Sequence, residues 1–165
     1  MLDALPDAAR LWLFPLDRTL ADDEAAALQG AVAGWLPTWT SHGRPVTAQA
    51  EVLAGRALAV GAVISEAELN AGVSGCGIDA MERAVGVALD RAGVAMAPAL
   101  GVLVRGEGGW ESLARPAFRR RVKTGEAGAE TVVLDVTPQT VGALRENGLA
   151  RPAGETWAAR AFGLP

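Results

Sequence analysis

The residue best suited to covalent chemistry is the single cysteine, Cys76, which lies in the stretch S-G-C-G-I-D at residues 74–79. The pattern places this stretch where a loop enters a helix, and the glycines beside the cysteine leave its thiol uncovered. Free N–H groups and a partial positive charge at a helix N-terminus favour thiolate over thiol. We predict that Asp79 caps this helix end. The alternative is an inert, buried cysteine with Ser74 as the cap.

The single histidine, His42, lies in the stretch W-T-S-H-G at residues 39–43. In a split β-α-β-β-α-β arrangement, the loop after the first helix and the loop before the second helix emerge at the same end of the sheet. The topology therefore predicts that His42 lies beside Cys76, where an imidazole activates a thiol for attack on a carbonyl, a thioester or a disulfide. The alternative is a structural histidine that bonds a loop carbonyl while Trp39 packs below it.

Two functions stay open for this predicted site. The favoured one is a non-catalytic binding or interaction protein, with a homodimer as one expected assembly, that contacts a small molecule, an anion or a peptide at the helix start. The alternative is a thiol-dependent enzyme for acyl transfer or thiol exchange, with Cys76 as nucleophile and His42 as base. No third orienting group and no resolving cysteine accompany that pair. The predicted ligand-binding residues are Ser74, Gly75, Gly77, Ile78, Asp79, Trp39 and Gly43.

Other familiar sites are missing from the sequence. No G-x-x-x-x-G-K-[ST] stretch supports a phosphate-binding P-loop, and one cysteine with one histidine cannot supply a structural zinc site, so we predict no cofactor and no metal. The basic cluster Arg115–Lys123 is typical of a solvated helix face, with an anionic partner as the alternative. A formal net charge of −4 argues against general nucleic-acid binding.

The composition favours a globular, cytoplasmic protein. Half of the 165 residues are apolar and about a fifth are charged, which is the balance of a packed domain. No apolar run approaches the roughly 18 residues that cross a bilayer, so we expect no membrane partner. The N-terminus lacks the pattern of a signal peptide, and a single cysteine cannot form an internal disulfide.

The hydrophobic periodicity predicts the elements that position these residues. A strand at Arg10–Leu16, a helix ended by Pro37, a hairpin over Pro45–Ile64, a helix near Gly77–Ala92 and a strand at Leu100–Arg105 follow one another. Their order, β-α-β-β-α-β, predicts an α+β fold, namely a ferredoxin-like sandwich.

A C-terminal α/β extension follows this core. Its predicted elements are a helix at Pro116–Thr124, a strand at Thr131–Val136, a short helix that starts at Thr137-Pro138 and ends at Asn147-Gly148, and a tail over Glu155–Phe162 that packs on the body. We therefore predict residues 1–108 as the ferredoxin-like core and 109–165 as a packed extension of the same domain.

Four short motifs also recur together in a known family. They are Arg18-Thr19-Leu20 after an aromatic strand, Trp39-x-x-His42-Gly43, Ser74-Gly75-Cys76-x-Ile78-Asp79 and Thr156-Trp157. In this order they resemble a bacterial family of uncharacterised proteins whose members often carry the automatic label ABC-transporter ATPase. The resemblance covers nearly the whole chain and implies that the tryptophan–histidine–glycine loop and the glycine–cysteine helix start act together. It implies no reaction, and the missing P-loop gives the ATPase label no support.

Overall fold

The computed structural model describes residues 1–63 and 73–165 and shows a mixed α+β protein with antiparallel sheets. The strands are β1 (Arg10–Pro15), β2 (Thr40–Ser41), β3 (Arg44–Pro45), β4 (Thr47–Leu53), β5 (Ala57–Val63), β6 (Gly101–Gly106), β7 (Gly109–Ala114), β8 (Val132–Leu134) and β9 (Ala150–Pro152). The helices are α1 (Asp22–Trp35), α2 (Gly75–Ala92), α3 (Arg115–Thr124), α4 (Val141–Asn147) and α5 (Trp157–Phe162). No described helix has the length and apolarity to traverse a bilayer.

The first sheet has the strand order β1-β5-β4, with β5 antiparallel to both neighbours. The predicted hairpin is confirmed as β4 and β5, except for Ile64, which lies outside the described residues. Its turn depends on Gly55, whose φ of +60° suits glycine. A Cβ there would lie 2.8 Å from the backbone oxygen of Leu20.

One face of the first sheet packs against α1 and α2. Because side chains alternate along a strand, Leu58 and Val60 of β5 point to the helices, where they share a core with Leu28 of α1 and Met81 of α2. The residues between them in sequence point the other way. The pair of predicted helices thus covers one face of this sheet.

The predicted fourth strand exists as β6, but the expectation that it completes the first sheet is wrong. It pairs with β7 and β8 in a second sheet of order β7-β6-β8-β9. In the described parts of the chain, isolated bridges join Arg10 at the other edge of β1 to Thr140 and Leu16, just after β1, to Met96. The physical reason is local: a two-residue turn between the paired residues Gly106 and Gly109 gives β6 an immediate hairpin partner.

The second sheet starts before the predicted boundary between residues 108 and 109, which falls inside that hairpin turn. Leu103 of β6 and Leu134 of β8 share a core with Leu11 and Ala59 from the other face of the first sheet. Val102 and Val104, which point the opposite way, pack with Phe118 and other residues of the C-terminal part. The order of layers is therefore helices, sheet, sheet, helices.

The C-terminal elements follow the predictions with shifted ends. Helix α3 is confirmed, β8 is shorter than its predicted range, and α4 starts after its N-cap Thr140 rather than at Thr137-Pro138. The tail packs on the body as predicted, with Trp157 and Phe162 against the third core. Strands β7 and β9 have no counterpart among the predicted elements, because β7 lacks a clear apolar alternation and β9 has only three residues.

Candidate functional site

His42 occupies the turn of a miniature hairpin formed by β2 and β3. The two turn residues, His42 and Gly43, both have positive φ angles, 51° and 73°. Two successive left-handed residues are typical of a type I′ turn, which matches the twist of the flanking strands. The turn leaves the side chain of His42 exposed at the tip.

A set of hydrogen bonds, which we name the loop junction, ties this hairpin to the start of α2. The N–H of Ser74 donates to Ser41 Oγ at 2.9 Å, and Ser41 Oγ donates to Ser74 Oγ at 3.0 Å. The indole Nε1 of Trp39 donates to the carbonyl oxygen of Gly77 at 2.9 Å. Two segments far apart in sequence are thereby held together at one end of the first sheet.

Ser74 is the N-cap of α2, so the prediction that Asp79 caps this helix is wrong. The Ser74 hydroxyl oxygen accepts from the N–H of Gly77 at 3.1 Å, whereas Asp79 lies exposed further into the helix. A side chain caps a helix from the position before the first helical residue, which Asp79 does not occupy. Gly77 is needed beside this cap, because a Cβ would lie 2.9 Å from Val73 Cγ1.

Cys76 lies in the first turn of α2, and its side chain is exposed. The two segments that carry Cys76 and His42 meet as predicted, because the loop junction joins them, and both side chains are exposed. Within residues 1–63 and 73–165, no hydrogen bond joins His42 to Cys76. Direct activation of the thiol by the imidazole stays a hypothesis.

The other predicted ligand-binding residues divide between surface and interior. Gly43, Gly75 and Asp79 are exposed, and Ile78 is half-buried against the first core. Trp39 is only 1% exposed and packs between Trp12 and Trp35. Trp39 therefore anchors the hairpin to α2, and a ligand contact through its ring stays a prediction.

A separate cavity of about 330 Å³ lies where the end of β1 meets the second sheet. We name it the Arg115 cavity. Its walls are mainly apolar, and they include Pro15, Pro98, Leu103, Leu134 and Val136. These residues come from segments that are distant in sequence.

Arg115 supplies the charge in this cavity. It is the first residue of α3, and its guanidinium carbon lies 5.2 Å from the ring centroid of Trp157, which also lines the cavity. Among the residues that the structure describes, no carboxylate lies within ion-pair distance of Arg115. Such contacts with an aromatic face leave the N–H groups of a guanidinium available to a further partner.

Two other arginines of the predicted basic cluster, Arg119 and Arg121, have partners of their own. Arg121 forms two hydrogen bonds with Glu111, and this carboxylate raises the pKa of Arg121 above its ordinary value. Arg119 lies over the ring of Phe162 and donates to the carbonyl of Ala161. The cluster is thus not one continuous anion-binding surface.

No family model, no curated protein and no solved structure matches this chain. The candidate sites therefore rest on geometry. In the described part of the chain, no group of His, Cys, Asp and Glu is arranged to hold a metal ion.

Sequence reasoning did not single out the Arg115 cavity. The signals that bear on it were a helix starting at Arg115-Pro116, the Thr156-Trp157 motif, and an apolar residue, Leu100, that the structure leaves 69% exposed. None of these indicates a cavity by itself, because the walls meet only when the second sheet packs against the end of the first.

Proposed function

We propose that this protein is a non-catalytic binding protein that holds a small, mainly apolar molecule in the Arg115 cavity. The observation that carries the proposal is the cavity itself, with a volume of about 330 Å³ and walls that, among the described residues, combine apolar side chains with the guanidinium of Arg115. Binding sites for small molecules are typically concave and mostly apolar, with a few polar groups that orient the ligand.

Exposed apolar side chains around the opening support this proposal. Val136, which lines the cavity, is 36% exposed, and Leu100 is 69% exposed. A smaller adjoining cavity of about 250 Å³ includes Leu100 and shares Arg115 and Pro98 with the first. Contiguous exposed apolar surface of this kind often marks a binding site.

The lining favours binding over catalysis. It contains no Asp, Glu, His, Cys or Ser among the described residues. Its hydroxyl group, on Thr137, donates to Asp135 Oδ1 at 2.6 Å, and that buried carboxylate also accepts from Arg151. General acid–base or nucleophilic catalysis needs a titratable or activated group within reach of the substrate.

The neutral probe 1-octanol tests this proposal in a titration followed by amide NMR. We expect shifts at Leu103, Leu134 and the indole N–H of Trp157. The variant Ala99→Phe places a large side chain in the cavity from an exposed position and should abolish these shifts without unfolding the protein. Shifts that are absent in the wild type, or that persist in Ala99→Phe, contradict binding at this place.

A second candidate site rests on the exposed thiol at the loop junction. We propose that the start of α2 contacts a ligand or an anion, because no acidic residue occupies its first turn and its first N–H groups lack helical partners. The alternative, a thiol-dependent enzyme, needs Cys76 to react faster than an ordinary exposed thiol.

Alkylation by iodoacetamide between pH 5 and 9 separates these two possibilities for Cys76. Faster reaction at pH 6 in the wild type than in His42→Ala supports the enzyme, since the imidazole would then promote the thiolate. Equal alkylation rates in the wild type and in His42→Ala exclude His42 as the group that activates the thiol. The proposed contact with a ligand or an anion at the start of α2 then remains. Titration with inorganic phosphate tests the contact through the amide signals of Gly75 and Cys76.

We also propose that the first half of the chain is a variant of the ferredoxin-like fold. The strand order β1-β5-β4 and the placement of both helices on one face support this. So does the bridge between Leu16 and Met96, which lies on the edge of β1 where a fourth strand would pair.

Family membership, cytoplasmic location and a homodimer are proposals as well. Support for the bacterial family comes from the loop junction, which joins the segments of two of its motifs through the bond from Trp39 to Gly77 and the bonds between Ser41 and Ser74. The net charge of −4 continues to disfavour general nucleic-acid binding.

A further inference from the structure

The lining of the Arg115 cavity is mainly apolar and carries one charged side chain among the described residues, and this restricts the ligand that fits it. The apolar walls come from residues such as Pro15, Leu103 and Leu134, and the Thr137 hydroxyl already donates to Asp135. A sugar, a nucleotide or another molecule with polar groups along its length would lose hydrogen bonds to water there without replacement. The cavity therefore selects a molecule with a hydrocarbon body.

Arg115 supplies a positive charge that no carboxylate among the described residues neutralises. Arg115 lies at the start of α3, where no acidic residue occupies the first turn and Ala114 provides no side-chain cap. The positive end of the helix adds to the charge of the guanidinium. A negatively charged group on the ligand would therefore be attracted both by the guanidinium of Arg115 and by the positive end of α3.

The chemistry of arginine indicates which negative group this is. A guanidinium presents its N–H donors in a planar fork that matches the two oxygens of a carboxylate. The contact with Trp157, at 5.2 Å, restricts the orientation of the fork. A single carboxylate suits a site with one arginine better than a dianionic phosphate does, because no second cation lines the cavity among the described residues.

We propose, on the basis of the function proposed above, that the ligand is a small organic monocarboxylate. Its carboxylate pairs with Arg115, and its hydrocarbon body occupies the space between Pro15, Pro98, Leu103 and Leu134. The exposed side chain of Leu100 extends the apolar surface for longer members of this class.

The test compares octanoate with 1-octanol, which has the same chain length and no charge, by calorimetry and amide NMR at pH 7. Hydrogen bonds to a charged group typically contribute enough to tighten binding by about tenfold or more. We therefore expect octanoate to bind at least about tenfold more tightly than octanol. Arg115→Gln should reduce octanoate to the affinity of octanol and leave octanol unchanged.

Arg120→Gln is the matched control, because it removes the same charge from the exposed face of the same helix, outside the cavity lining. It should leave both affinities unchanged. Equal binding of octanol and octanoate, or an Arg115→Gln variant that still prefers octanoate, overturns the carboxylate assignment while binding in the cavity stands. Binding of neither probe, or binding of both to Ala99→Phe, overturns the proposed function itself.

Discussion

Arg56 presents a buried charge that the protein should tolerate less well than an apolar side chain of similar length. It is the last residue of the turn between β4 and β5 and is only 2% exposed. Its Nε has no hydrogen-bond partner, and no carboxylate in the described residues forms an ion pair with it. Burial lowers the pKa of Arg56 below its ordinary value, and the charge of Asp17 opposes this only in part.

Replacing Arg56 by methionine should stabilise the fold. A buried donor without a partner destabilises a protein by about 1–3 kcal/mol, and apolar replacements of buried charges are often stabilising by a similar amount. Methionine keeps much of the aliphatic contact, and its flexible chain adapts to the space. After some loss of packing, we expect a gain of about 1–2 kcal/mol, which raises Tm by roughly 2–4 °C per kcal/mol in a domain of this size.

Urea denaturation and calorimetry of the wild type, Arg56→Met and Arg56→Ala measure this effect. The alanine variant removes the same charge but leaves a cavity, so it should be less stable than the methionine variant. Arg105→Met, at an exposed position on β6, is the control and should change stability by less than about 0.5 kcal/mol. An Arg56→Met protein that is less stable than the wild type, with an unchanged m-value, refutes the reasoning, since the guanidinium would then have favourable partners.

Three further predictions concern the loop junction and the start of α1. Gly77→Ala should destabilise the protein by about 1–3 kcal/mol, because its Cβ would lie 2.9 Å from a valine, whereas Gly75→Ala meets nothing within 4 Å and should be nearly neutral. Ser41→Ala should cost about 1–3 kcal/mol by leaving the N–H of the α2 N-cap without an acceptor. The hydrogen bonds from Arg18 lower the pKa of Glu24 to about 2, from 4.5, so the stabilisation by Glu24 should be present above pH 4.5 and disappear as the pH falls to about 2.

Each of these has a measurement that decides it. Urea midpoints compare the stability of the two glycine variants. An equal loss of stability in both would contradict the expected clash between a Cβ at position 77 and the neighbouring valine. For Ser41→Ala, slower exchange or unchanged protection of the Ser74 amide would contradict its dependence on the serine oxygen. For Glu24→Gln, the stability deficit at pH 7 should vanish near pH 2, and a deficit independent of pH would exclude the ion pair as its cause.

The sequence determined those features that depend on neighbouring residues. The helices α1, α2 and α3 and the hairpin of β4 and β5 follow from apolar spacing and from turn residues such as Gly55. The meeting of the W-T-S-H-G and S-G-C-G-I-D segments, which hydrogen bonds now show, was also expected, because the predicted order β-α-β-β-α-β places those two loops at one end of the sheet. These inferences need only local periodicity and chain order.

Only the tertiary structure decided which strand β6 joins and what the second sheet covers. The sequence of β6 is apolar on both faces and fits either sheet, so the short hairpin turn to β7 and the packing of Leu103 decide its partner. The structure also decided the N-cap of α2. The helix begins at Gly75, so Ser74 and not Asp79 occupies the capping position. The Arg115 cavity and the buried Arg56 likewise exist only after distant segments pack, because side-chain burial is a property of three-dimensional neighbours rather than of residue type or spacing.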